Sequence, residues 1–214
     1  MALTALATPS TRRSLTLCPP AEGQESPLFA SGSTELDACL GGFPRGRITE
    51  LLGPASIGKT TLALGALASM LRSGELAALV DLSLTIFPGE PWATGLLVVR
   101  PGNPEDALRA LDALLSSAAF GVIAVESSAF TRALPDAISV RVARLARETG
   151  TAVISCGTQS VFGSSCALRL EFHAHPGGVL ACVRKSRQGM QGDQVVLPRR
   201  GVMPGAVPWP RRVA

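Results

Sequence analysis

Tyrosine is absent from this 214-residue sequence, and aromatic residues make up only 4% of it. A surface that grips single strands by stacking bases on aromatic rings is therefore not expected. No two cysteines stand in a CxxC spacing, and the five present (Cys18, Cys39, Cys156, Cys166, Cys182) are odd in number and far apart. That excludes a zinc ribbon and a disulfide framework, and it suits buried thiols in a reducing cytoplasm. The two histidines, His173 and His175, alternate along an apparent strand and read as ordinary strand residues. Long hydrophobic runs are missing too. The uncharged stretch 151–168 holds six hydroxyl residues, Gln159 and two glycines, which makes a poor membrane span.

Apolar residues nevertheless make up 46% of the chain, enough for one full core. Lysine occurs only at Lys59 and Lys185, so the positive charge is almost all arginine. It is spread unevenly: residues 182–214 carry seven basic side chains against Asp193, residues 1–20 carry Arg12 and Arg13 with no acid, and the body between is net −4. Basic ends on a mildly acidic body either reach for nucleic acid and acidic partners or serve as solubilising tails.

Three parts are expected. Residues 1–27, with Pro9, Pro19, Pro20 and Pro27 and no sustained period, form a disordered segment. Residues 28–197 form the core, and 198–214, with four prolines and four arginines, a basic Pro-rich tail. Within the core, Thr34-Glu35-Leu36-Asp37 predicts a capping box opening a short helix that stops at Gly41-Gly42. A turn is predicted at 43–46, and strands at 47–52, 77–81, 95–99, 121–125 and 151–155. Helices are predicted at 60–72 (with Leu64, Leu67 and Leu71 on one face), from Asn103-Pro104, and at 136–148. Apolar strands alternating with amphipathic helices indicate an α/β fold with a mainly parallel sheet covered on both faces. Beyond Cys166 the pattern changes. Strands at 166–172 and 179–184 joined through Pro176-Gly177-Gly178 predict an antiparallel hairpin, with one more strand at 194–197.

The sharpest motif is Gly53-Pro54-Ala55-Ser56-Ile57-Gly58-Lys59-Thr60, which matches GxxxxGK[ST] between an apolar strand and an amphipathic helix. Its glycines let the backbone amides curl toward phosphates, and the helix N-terminus adds partial positive charge. Lys59 is placed to hold the β- and γ-phosphates of a nucleotide such as ATP, and the Thr60 hydroxyl to bind Mg2+. A second acid at the end of a neighbouring strand is supplied by Glu126, after Gly121-Val122-Ile123-Ala124-Val125. A small-molecule kinase would share this loop, but no arginine-bearing lid stands between the fourth and fifth strands.

The surroundings of the loop resemble a known superfamily. Ser31-Gly32-Ser33-Thr34-Glu35-Leu36-Asp37, Leu40-Gly41-Gly42, Pro44-Arg45-Gly46-Arg47-Ile48 and Glu50, running into Gly53-Pro54 and Gly58-Lys59-Thr60-Thr61, closely resemble the entry to the ATPase core of RecA-type recombinases. The likeness extends over about residues 29–197 and implies a RecA-like P-loop core. Leu96-Leu97-Val98-Val99-Arg100-Pro101 and Pro104-Glu105-Asp106-Ala107-Leu108 look most like the ImuA accessory proteins of bacterial mutagenic translesion synthesis. That resemblance implies partnership with an inactive Y-family-like polymerase homologue and an error-prone replicative-type polymerase.

The same resemblance locates roles and departures. RecA-type enzymes carry a catalytic glutamate where this chain has Ser83, which implies slow hydrolysis; Asp81 and Glu126 are the acids left to replace it. Gln159 matches a sensor of the γ-phosphate or simply ends a strand. Lys185 and Arg187 resemble a basic pair that reaches the nucleotide of a neighbouring protomer, a role that requires a homo-oligomer or RecA itself. The DNA-pairing loops are cut down, so strand exchange is not expected. Weak, sequence-independent DNA contact would fall to Arg141, Arg144 and Arg147 on one helix face and to the basic tail; the alternative is a plain solvated surface.

Overall fold

The computed structural model describes residues 26–84, 86 and 95–198. The expected disordered segment up to residue 25 and the tail from 199 lie outside the described residues. Between them stands a mixed sheet of eight strands with helices on both faces. In chain order the elements are β1 (Leu28–Phe29), α1 (Thr34–Leu40), β2 (Phe43–Pro44), β3 (Ile48–Leu52), α2 (Lys59–Arg72), β4 (Leu76–Val80), β5 (Leu96–Val99), α3 (Pro104–Ser116), β6 (Phe120–Glu126), α4 (Asp136–Thr149), β7 (Ala152–Gly157), β8 (Leu168–His175), β9 (Gly178–Ser186) and β10 (Gln194–Leu197). The sheet order is β10-β9-β8-β3-β7-β6-β4-β5. From β8 to β5 the strands run parallel, while β9 and β10 are antiparallel. No helix among the described residues is long and apolar enough to cross a membrane.

The two cores follow from strand alternation. Leu51, Ala124, Ile154 and Cys156 turn toward α2, where they meet Leu62, Ala63, Ala66, Leu67 and Met70. Ile48, Ile123, Val125 and Val153 turn to the opposite face, under Leu111 and Leu115 of α3 and Val142 and Ala146 of α4. Strands β3, β6 and β7 are buried almost throughout because helices cover both sides. β8, beyond the helices on one face, alternates between buried and half-buried residues.

Several local expectations shift. The cap of α1 is Ser33, one residue before the expected box; its hydroxyl accepts from the Leu36 amide and donates to Glu35 at 2.9 Å. Helix α2 begins at Lys59, and Leu64 and Leu71 are only half-buried, because the small residues Ala63 and Ala66 let the helix lie close on the sheet along Leu62, Leu67 and Met70. Phe43 and Pro44 are not yet the turn: they pair with Leu28 and Phe29, and the Phe29 and Phe43 rings meet edge to face at 6.1 Å. The hairpin turn is the two residues Pro176-Gly177, and its strands reach further toward the turn than expected. Asn103 caps α3 as expected, accepting from the Asp106 amide at 2.9 Å.

Candidate functional site

The glycine loop leaves β3 at the sheet edge where all the parallel strands end. Gly53 has φ +148, and its amide donates to the Gly157 carbonyl of β7 at 3.3 Å. A Cβ there would sit 2.7 Å from the Phe172 carbonyl oxygen of β8, so the loop is pressed against a neighbouring strand that only glycine admits. Pro54, Ala55 and Ser56 form the exposed crest, and Ser56 itself has φ +59. Ile57 tucks back against the α2 core. Gly58, with φ +103, is the N-cap of α2 and offers no capping side chain. The first amides of α2 are thus free of side-chain caps, as an anion cradle requires.

Lys59 is buried, yet its ammonium stays at the loop. Nζ donates to the carbonyls of Gly53 at 2.7 Å and Pro54 at 2.5 Å, which leaves its third N–H for a ligand. Burial lowers the pKa of Lys59, against the opposing pull of the Cys156 thiol and Glu126. Glu126 ends β6 on the α2 side. Its Oε1 accepts from the Ser128 amide at 2.8 Å, whereas Oε2 is buried with no hydrogen-bond partner. Thr60 and Glu126 line the same small cavity, together with Leu79, Ile86 and Cys156. The Cys156 thiol lies 3.9 Å from the Lys59 carbonyl, and burial pushes its pKa up to about 12, so it stays protonated.

A magnesium ion fits this donor set. Glu126 leaves one buried carboxylate oxygen unpartnered, Thr60 and Glu126 border the same small space beside the phosphate cradle, and a hard cation takes such oxygens directly or through water. Among the described residues no cluster of three His, Cys, Asp or Glu could hold a metal unaided.

The remaining candidates separate. Ser83 is exposed, and its hydroxyl donates to Oδ1 of Asp81 at 3.2 Å. Asp81 is fully buried and already committed: Oδ2 accepts from the Ile86 amide at 3.1 Å and lies 3.7 Å from Nε of Arg100. Of the two substitute acids, Glu126 alone lines the Thr60 cavity. Gln159 is exposed beyond β7, with Nε2 donating to the Phe130 carbonyl at 2.8 Å. Thr61, also exposed, lines a second cavity of about 200 Å³ on the other flank of the loop, with Ile57, Phe172 and Leu197. Lys185 and Arg187 stand where β9 ends, and both donate to the Ser164 carbonyl. Because β9 runs antiparallel to β8, that end is the sheet edge opposite the phosphate loop. Neither residue reaches the loop of its own chain.

Arg141, Arg144 and Arg147 are all exposed on α4, and the first two have acidic partners. Arg141 is bound through two hydrogen bonds to Asp112 of α3, at 2.6 and 3.0 Å, and Arg144 pairs with Glu148 one turn on. Packing of α3 beside α4 brings Asp112 to Arg141, which the helix sequence alone does not reveal. Arg147 has no such partner among the described residues.

Sequence reasoning also passed over Glu50. This fully buried acid accepts from the amides of Val161 and Phe162 and the Ser160 hydroxyl, each at 2.8 Å, and from Nε of Arg169 at 2.9 Å. It ties the segment after β7 to the strand that feeds the phosphate loop. Its signal was present: one charged residue inside the apolar run Ile48-Thr49-Glu50-Leu51-Leu52.

The model of the family described as the RecA N-terminal domain matches residues 15–138. Protein RecA of Picosynechococcus sp. is 45% identical over 105 residues, which cover 46% of this chain and 30% of that protein. Protein RecA of Desulforapulum autotrophicum is 43% identical over 115 residues, 50% of this chain and 33% of that protein. Protein RecA of Salinispora tropica is 43% identical over 112 residues, 49% of this chain and 32% of that protein. The stretch matched to these relatives is therefore about a third of their length. The family-model match holds the capped helix α1, the glycine loop, Lys59, Thr60 and Glu126 and spans more than half of the chain: the chain belongs to the RecA N-terminal domain family.

Proposed function

We propose that this chain is an ATP-binding protein that turns ATP over slowly and acts as an accessory factor in error-prone translesion synthesis in the bacterial cytoplasm. The observation that carries the nucleotide reading is the glycine loop running into an α2 start with no capping side chain, with the buried Lys59 held at that loop by the Gly53 and Pro54 carbonyls. Magnesium, when bound, neutralises phosphate charge at the Thr60 and Glu126 oxygens. The chain does the rest. The amides from Ala55 to Thr60 orient the phosphates, Lys59 supplies a fixed positive charge, and the cavity flanked by Thr61 and Leu197 offers an apolar place for the nucleoside. Ser83, at the position where RecA-type enzymes carry a catalytic glutamate, donates a hydrogen bond to Asp81, and loss of a water-orienting base typically costs about 10²–10⁴ in rate.

The finer reading rests on the likeness of 96–101 and 104–108 to ImuA proteins. Nucleotide binding would order the segments after Glu126 and Gln159 and change affinity for the inactive Y-family-like polymerase homologue and its error-prone replicative-type partner. Lys185 and Arg187, facing away from their own phosphate loop, suit contact with a nucleotide on a second copy or on RecA. ATP binding and phosphate release by the full chain, with and without single-stranded DNA, test the core of this reading. Binding that is lost in Lys59→Ala supports it, and wild-type protein that binds no nucleotide rejects it. A non-hydrolysing scaffold is the second reading, favoured by the Ser83–Asp81 hydrogen bond. Partner capture that survives in Lys59→Ala, with no turnover in wild type, would select it.

A further inference from the structure

Glu50 stands in β3 three residues before Gly53, fully buried between apolar neighbours. Its two carboxylate oxygens are shared out. Oε1 accepts from the Val161 and Phe162 amides, and Oε2 from the Ser160 hydroxyl and the Arg169 guanidinium. Nη2 of Arg169 also donates to the Ser160 Oγ at 2.6 Å, so acid, hydroxyl and guanidinium form a closed triangle. The three residues held in this way, 160–162, follow directly on Gln159. An ionised carboxylate inside a sheet carries a desolvation cost, and an apolar residue of like volume commonly serves stability as well or better. What an apolar residue cannot do is hold two amides and a hydroxyl in fixed directions.

The segment that Glu50 holds is joined to the one that follows Glu126. Nε2 of Gln159 donates to the Phe130 carbonyl and the Leu134 amide to the Val161 carbonyl, both at 2.8 Å. The Ser155 hydroxyl donates to the Ser127 Oγ, and the Ser127 amide to the Cys156 carbonyl, again at 2.8 Å. On its other side the segment meets the phosphate loop, where the Gly53 amide donates to the Gly157 carbonyl at 3.3 Å. Gln159 lies two residues past that bond, at most about 7 Å of extended chain. Its side chain is exposed, so Nε2 can exchange the Phe130 carbonyl for a phosphate oxygen.

We propose that Glu50 is a positioning residue. Through the Ser160 hydroxyl and the Val161 and Phe162 amides it fixes the direction from which Gln159 meets the terminal phosphate, and so sets how strongly the site prefers a nucleoside triphosphate to a diphosphate. This role rests on the nucleotide-binding reading of the site, with Gln159 as the group that meets that phosphate. Strand alternation puts Glu50 on the same face of the sheet as Ile48, under α3 and α4 and away from α2. Its carboxylate therefore acts through the backbone after β7 and not on the ligand. Arg169 keeps the Oε2 half of the carboxylate paired, and Ser160 passes that half on to the residue next to Gln159.

The test is the affinity of the full-length protein, in magnesium, for fluorescently labelled ADP and for a labelled non-hydrolysable ATP analogue. Wild type is compared with Gln159→Ala, Glu50→Gln, Ser160→Ala and the double variant Glu50→Gln/Gln159→Ala. Glu50→Gln keeps an oxygen for the Val161 and Phe162 amides and gives up the half that holds Ser160 and Arg169. The preference for the triphosphate is expected to fall about tenfold in Gln159→Ala, the worth of one hydrogen bond to a charged group, and about as far in Glu50→Gln, with ADP affinity unchanged in both. The double variant should lose no more than Gln159→Ala alone, because both changes act on one contact. A Glu50→Gln protein that weakens both nucleotides equally, or whose loss adds to that of Gln159→Ala, overturns the proposal. Should Glu50→Gln fail to fold, Ser160→Ala, at a half-buried position, decides: a preference reduced about threefold sustains the proposal, and an unchanged one overturns it. Wild-type protein that binds both nucleotides alike also overturns it and leaves the nucleotide reading standing, whereas wild type that binds neither rejects both.

Discussion

The hydroxyl of Ser83 donates to Oδ1 of Asp81, the buried acid just past the end of β4, at 3.2 Å. Because Ser83 is exposed, a longer side chain can be placed there without disturbing the core. Ser83→Glu is expected to raise steady-state phosphate release at least about tenfold, within the range a positioned general base supplies. An unchanged rate in a variant that still binds nucleotide would show that water activation is not what limits turnover.

Glu126 carries a buried carboxylate oxygen that has no hydrogen-bond partner among the described residues. Glu126→Gln keeps the shape and removes the charge. Nucleotide affinity in magnesium should fall about tenfold, while the difference between magnesium and chelator nearly disappears. The thermal midpoint should hold or rise, since an uncompensated buried charge is lost.

The Glu50–Arg169 pair makes the opposite prediction. Glu50 is fully buried and its carboxylate is saturated by two amides, a hydroxyl and a guanidinium. Arg169→Ala strands that charge and should cost about 3–5 kcal/mol in urea unfolding. Glu50→Gln should cost less, because the amide oxygen still accepts from the Val161 and Phe162 amides.

Glu75 predicts a pH effect. Its hydrogen bond to Arg45 holds the carboxyl below its ordinary value of 4.5. A carboxylate with a depressed folded-state pKa stabilises the fold above the unfolded value, and that contribution is lost as pH falls through the folded one. Wild-type protein should therefore lose stability below about pH 4.5 more steeply than Glu75→Gln in acid titration of the thermal midpoint.

Gly53→Ala should destabilise the fold by about 1–3 kcal/mol, because φ +148 and the Phe172 carbonyl 2.7 Å from the new methyl act together. Equilibrium unfolding measures it. Gly74→Ala, at a position with positive φ but open space around it, should cost less.

The architecture was legible where one local signal sufficed. Continuous apolar runs such as Gly121-Val122-Ile123-Ala124-Val125 announced buried parallel strands, the Asn103-Pro104 start announced α3, and the glycine loop announced the site. What escaped depends on partners distant in the chain. Glu50 is satisfied by residues 110 to 119 positions away, and Arg141 by Asp112 on another helix. The buried side of α2 was not legible because apolar residues surround that helix, so periodicity does not single out the side that small residues allow to approach the sheet.

The place of β3 in the sheet has one more consequence. Its two neighbours are β7 and β8, and both come from beyond residue 138, where the likeness to the RecA N-terminal domain stops. The signature-bearing strand is therefore clamped on either side by the less recognisable half of the molecule. A fragment cut at that boundary would present two raw edges on its central ribbon and nothing for Gly53 to lean on, so the glycine loop depends for its shape on chain that lies beyond the family match.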